Sequence, residues 1–147
     1  MELSCISVGG LAGALLTIFI NHYYFREKNR KEDRINEQKK RGESIAQTIA
    51  LANQLEALGI TYWISSELDS EKRAITAFRI KSLSNQLGEK LSPYQDVGER
   101  SARELTNFRR SITGDAFDMR SFVSNPSRAK LINDAATKFR KIIELCR

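Results

Sequence analysis

Leu3 to Phe25 reads LSCISVGGLAGALLTIFINHYYF, 23 residues without a single Lys, Arg, Asp or Glu. A helix of that length spans roughly 34 Å at about 1.5 Å per residue, against a hydrocarbon core of about 30 Å. A cleaved signal peptide would carry a basic n-region, and only Met1 and Glu2 precede this run. Its one A-x-A-like element, Ala12-Gly13-Ala14, lies in the middle. The expectation is therefore an uncleaved transmembrane helix over residues 1–25, with the lipid bilayer as its partner.

The next stretch, REKNRKEDRINEQKKR at residues 26–41, has the opposite character. Residues 26–43 carry eight basic and five acidic side chains, for a net +3. The positive-inside rule then predicts an inner-membrane protein with its N-terminus outside and its C-terminal mass in the cytoplasm. His22, Tyr23, Tyr24, Arg26, Lys28, Arg30 and Lys31 are the candidate membrane-interface residues. His22 is read as an interfacial side chain ahead of a proton-handling one. Glu27–Lys31 and Glu37–Arg41 are Glu-before-basic pairs at i,i+4, which favour a polar juxtamembrane helix over 26–43. Its basic groups would contact anionic headgroups. Gly42 is expected to break or kink that helix.

Within the apolar run, Gly9, Gly10, Gly13 and Ala14 form two overlapping small-xxx-small pairs. Small residues let two membrane helices approach closely, so these four are candidate packing residues for a homo-oligomer. The competing reading is that Gly and Ala are simply common in spans.

Residues 44–147 predict an all-α cytoplasmic bundle of about four helices. The first uses Ile45, Ile49, Leu51, Ala52, Leu55 and Leu58 at helical spacing and is expected to stop at Gly59. Ile60–Ile64 is a packed connector or a helix start, with Trp63 as a core anchor. A second helix is expected from about Ser66 to Leu91, burying Leu68, Ile75, Phe78, Leu83, Leu87 and Leu91. Asp96 and Glu99 have capping-box spacing for a third, which uses Val97, Leu105, Phe108 and Ile112 and ends at Gly114. Asn125-Pro126 opens a fourth, which buries Ala129, Ile132, Ala135, Ala136, Phe139, Ile142 and Ile143.

The chemistry-bearing inventory is thin. One histidine among 147 residues leaves no His-dependent triad and few zinc sites. Cys5 and Cys146 stand at opposite ends of the chain, and no Gly-rich phosphate loop, GxSxG or CxxC motif occurs. Glu67, Asp69 and Glu71 read as helix-start acids rather than metal ligands, and Asp115 and Asp118 as caps. No catalytic residue, cofactor or metal is expected, and the chain is predicted not to be an enzyme.

Charge is distributed unevenly. Residues 44–99 carry a net −2 and residues 100–147 a net +6. Arg100, Arg103 and Arg110 line one strip of the third helix opposite Leu105 and Ile112, which makes them candidate anion-binding residues. Lys130, Lys138 and Lys141 form a second strip. The competing reading is a solvated face held by Glu99–Arg103, Arg100–Glu104 and Asp134–Lys138 pairs. Nucleic acid or a nucleotide is possible but not favoured, since no aromatic residues interleave with these arginines.

The layout resembles small, single-pass, N-terminally anchored helical proteins that act as accessory or effector partners in bacterial antiphage defence, some with a divergent HEPN-type domain. The Arg-then-His signature of ribonuclease HEPN domains is absent, because His22 is the one histidine and no arginine precedes it. The expected function is protein interaction or self-assembly at the membrane. The alternative is an oligomeric, pore-like effector.

Overall fold

A computed structural model describes residues 4–66, 68–91, 98–114, 117 and 124–145, with the side chains of 4–15 and 98 outside that description. Among these residues all regular structure is helical: α1 Ser4–Ile64, α2 Ser70–Leu91, α3 Gly98–Thr113 and α4 Pro126–Glu144. The chain divides into two units, Met1–Arg41 and Gly42–Arg147.

In the first unit every described side chain is exposed. Leu16, Ile18, Phe19, Ile20, Tyr23, Tyr24 and Phe25 are between 59% and 77% exposed. Among the described residues no helix is long and apolar enough to cross a membrane. The expected span over 3–25 lies largely outside the described side chains. Its described part, 16–25, covers roughly 15 Å at about 1.5 Å per residue.

The second unit is a four-helix bundle around one core. The last part of α1 supplies Ile45, Thr48, Ala52, Leu55, Gly59, Tyr62 and Trp63; α2 supplies Ala77, Ile80, Ser84 and Leu87. From α3 come Ser101, Leu105, Phe108 and Ile112, and from α4 Ile132, Ala136, Phe139, Ile142 and Ile143. Each set steps by three and four residues, widened by one adjacent residue at Trp63 and at Ile143, the spacing that keeps one seam of a helix facing its neighbours. The seams combine large buried side chains, Trp63, Tyr62, Phe108 and Phe139, with the small Ala52, Gly59, Ala77 and Ala136. Phe108 and Phe139 stack at 5.8 Å between centroids, tying α3 to α4. The buried Thr48 hydroxyl donates to the Ser44 carbonyl at 2.8 Å, so it enters the core satisfied.

Several boundaries differ from expectation. Gly42 and Gly59 both lie inside α1, so Gly42 does not break the helix and Gly59 does not end it, and Ile60–Ile64 is the last turn of α1. A glycine costs a helix interior only about 1 kcal/mol, less than flanking turns and core packing supply. At Gly59 the missing side chain serves packing: a Cβ there would meet Ile112 Cγ1 at 3.0 Å and Cγ2 at 3.1 Å. The start of α2 is Ser70, not Ser66. Of its expected face Leu87 is buried and Leu83 and Leu91 pack against the core, but Ile75 and Phe78 are 50% and 73% exposed while Ala77, Ile80 and Ser84 are buried. The α3 end at Gly114 and the α4 start at Pro126 match expectation. Asn125 precedes α4 without a side-chain cap; its backbone N–H donates to the Trp63 carbonyl at 3.0 Å instead. Val97, the Asp96 cap, Glu67, Asp115 and Asp118 lie outside the described residues.

Candidate functional site

The expected anion-binding strip sits on the outer side of α3. Arg100, Arg103 and Arg110 are exposed, while Leu105 and Ile112 on the opposite side are buried. Glu99–Arg103, Arg100–Glu104 and Asp134–Lys138, the pairs expected to solvate these faces, do not form ion pairs among the described residues. Glu104 instead accepts a hydrogen bond from Asn107 Nδ2 at 3.5 Å. Among the described residues the result is an exposed row of guanidinium groups, able to attract an anion by charge. Lys130, Lys138 and Lys141 are likewise exposed on α4.

The arginines of the bundle that do make specific contacts were not singled out by sequence. Arg73 reaches back from α2 to the end of α1. Its Nη1 donates to the Tyr62 carbonyl at 3.1 Å, and its Nη2 to those of Leu68 at 2.9 Å and Ser65 at 3.4 Å. Arg128 of α4 lies over the Trp63 ring at 5.1 Å, and its Nη1 donates to the Ser111 carbonyl at 3.4 Å. Trp63 Nε1 donates to the Ile112 carbonyl at 2.7 Å. The carbonyl-rich ends of α1 and α3 therefore meet around Trp63, and two cations answer their negative dipole ends. Arg109 donates to the Ser84 carbonyl, and Arg140 joins Glu56 and Asn53 on α1. The glycines match this arrangement. A Cβ at Gly88 would stand 2.6 Å from Arg109 Nη2, and one at Gly114 would overlap the Arg128 guanidinium. A local signal existed in these Gly/Arg placements, but the partners are 14 to 21 positions apart and no short motif records them.

These contacts hold the bundle together. Among the described residues no cluster of His, Cys, Asp or Glu can hold a metal ion. Ile45, Ala46, Ile49 and Glu144 line an open depression of about 280 Å³, apolar apart from one carboxylate. Asp69 caps α2: its Oδ1 accepts from the Lys72 backbone N–H at 2.8 Å, which holds its carboxyl below the usual aspartate value. Glu71 lies in the first turn of the same helix, where negative charge is favoured.

On the first unit, His22, Tyr23, Tyr24, Arg26, Lys28, Arg30 and Lys31 are all exposed along α1. Tyr23, Arg26, Glu27, Arg30, Lys31 and Arg34 line a shallow groove of about 270 Å³. Lys31 pairs with Glu27 at 3.3 Å and Lys28 with Glu32 at 4.0 Å. The backbone of Gly9, Gly10, Gly13 and Ala14 is helical, and their surroundings lie outside the described residues. No protein-family model, curated protein or solved structure matches the chain.

Proposed function

We propose that this chain is a non-enzymatic, single-pass inner-membrane protein whose cytoplasmic four-helix unit mediates protein interaction or self-assembly at the membrane. The observation that carries the proposal is the distribution of apolar side chains on the first unit. Leu16, Ile18, Phe19, Ile20, Tyr23, Tyr24 and Phe25 are all exposed. At 100° per residue Leu16, Phe19, Ile20, Tyr23 and Tyr24 share one broad face of α1 while Ile18 and Phe25 lie on the opposite one, so the apolar side chains are not confined to a single stripe. A groove on a partner protein selects a one-sided helix, whereas a helix that is apolar all round suits a bilayer. The uncharged sequence from Leu3 extends this character, and the basic residues from Arg26 onward favour a cytoplasmic C-terminus.

The test is topology in the full chain. A reporter active only in the cytoplasm, fused after Arg147, is expected to be active, and a periplasm-only reporter silent. The chain should also stay with membranes through alkaline carbonate extraction. Release by carbonate would remove the membrane span, and a periplasmic C-terminus would reverse the orientation.

A second reading, an oligomeric membrane-perturbing effector of antiphage defence, is favoured by the paired small residues Gly9/Gly13 and Gly10/Ala14. A ring of six or more subunits supports it; a monomer or dimer supports the anchored interaction protein.

A further inference from the structure

The basic segment after the apolar run is not uniformly cationic. Phe19, Tyr23, Arg26, Arg30 and Arg34 follow at intervals of four, three, four and four, so they share one strip of α1. On this strip the helix passes from apolar to aromatic to guanidinium. Lys28 and Lys31, elsewhere on the circumference, are each held by a carboxylate, Glu32 and Glu27. Arg26, Arg30 and Arg34 make no ion pair among the described residues, and neither do the nearby acids Asp33 and Glu37. The one carboxylate lining the groove beside these arginines, Glu27, is the one that Lys31 engages.

We propose that Tyr23, Arg26 and Arg30 form a binding site for the phosphate of anionic glycerophospholipids. The proposal rests on the membrane reading above. With Tyr23 at the headgroup boundary, Arg26 and Arg30 lie roughly 4.5 and 10.5 Å farther along the helix axis. The polar layer on each side of a bilayer is about 5–8 Å thick. Arg26 therefore stands in the phosphate layer, and the long Arg30 side chain reaches back into it. Arg34, a further turn away, adds charge but not contact. A guanidinium fork binds a phosphate through two parallel N–H groups, whereas an ammonium acts as a point charge. The site therefore makes a claim that a diffuse basic patch does not: arginine cannot be replaced by lysine.

The experiment uses the full chain in neutral detergent, titrated with phosphatidylglycerol or with phosphatidylcholine of matched acyl chains, and native mass spectrometry to count retained lipid. The wild type should retain phosphatidylglycerol in preference. R26K/R30K keeps the charge and should lower that retention roughly threefold or more. K28Q/K39Q removes two charges from the opposite side of α1, outside the groove, and should lower it less. Equal retention by wild type and R26K/R30K, or a larger loss in K28Q/K39Q, overturns the site. Displacement of phosphatidylglycerol by a stoichiometric short RNA overturns lipid as the ligand. Carbonate-resistant insertion into pure phosphatidylcholine vesicles is measured in parallel. Insertion without lipid preference removes the site and keeps the span; arginine-dependent lipid retention without insertion removes the span and keeps the site.

Discussion

Gly59 and Gly42 are the same residue in the same helix, with opposite consequences for substitution. Alanine in a helix interior is favoured over glycine by about 1 kcal/mol when nothing obstructs it. At Gly42 nothing lies within 4 Å of a Cβ, so Gly42→Ala should raise the thermal stability of the chain slightly. At Gly59 the same methyl meets Ile112, which is 1% exposed and held in place by the bundle. Gly59→Ala should therefore destabilise by roughly 1–3 kcal/mol despite its better helix propensity. Thermal unfolding followed by circular dichroism decides both. A stabilised Gly59→Ala would mean that α3 yields at Ile112 and that close packing is not what glycine supplies there. Sequence reading took Gly42 as a break or kink and Gly59 as a helix end, because a glycine's local signature is the same for a break, a cap and a close approach. Trp63 was legible as an anchor because its bulk has few other uses in a bundle; the Ile112 carbonyl that receives its N–H was not.

At the scale of elements, α2 separates what periodicity reveals from what it hides. Its seam runs through Ala77, Ile80, Ser84 and Leu87, while Ile75 and Phe78 face outward. Leu87 was legible, but the small and polar members Ala77 and Ser84 are invisible to a search for large apolar residues, which selected the exposed Ile75 and Phe78 alongside it. Seams built on large residues, Leu105–Phe108–Ile112 in α3 and Ile132–Phe139–Ile143 in α4, were legible. The start of α2 carries a pH prediction. The Lys72 backbone N–H is the largest influence lowering the Asp69 pKa, with the Lys72 ammonium adding to it. A folded-state value below the ordinary aspartate value of 3.8 means that the ionised cap stabilises the fold fully above that pH. The contribution is lost as pH falls through the lower, folded value. Melting temperature measured from about pH 5 to about pH 2 should decline less steeply in Asp69→Asn, which keeps an acceptor but cannot titrate. The difference should be small, because Asp69 is fully exposed and carboxylates elsewhere titrate over the same range. Parallel profiles for the two proteins would assign the acid sensitivity to those other groups.

At the scale of the whole molecule, the helical class follows from composition and spacing. With two prolines, eight glycines and no alternating strand pattern, the chain had little route to a sheet. Assembly is the open question, and the small residues of the apolar run frame it. Gly9 and Gly13 are one turn apart and present no side chain, so a facing helix can pack on the backbone there. Replacing both by Leu would hold two backbones apart while making the run more hydrophobic, so insertion should survive. Lost packing of this kind costs on the order of 1–2 kcal/mol in model membrane helices, about a tenfold change in association. Native mass in detergent, with crosslinking in membranes, should show the wild type as an oligomer and the Gly9→Leu/Gly13→Leu variant shifted toward monomer. Retention of the oligomer in that variant, but loss of it when residues 1–25 are kept and residues 42–147 removed, would place assembly in the four-helix unit. A monomeric wild type would remove self-association altogether and leave the bundle's partner as a different protein.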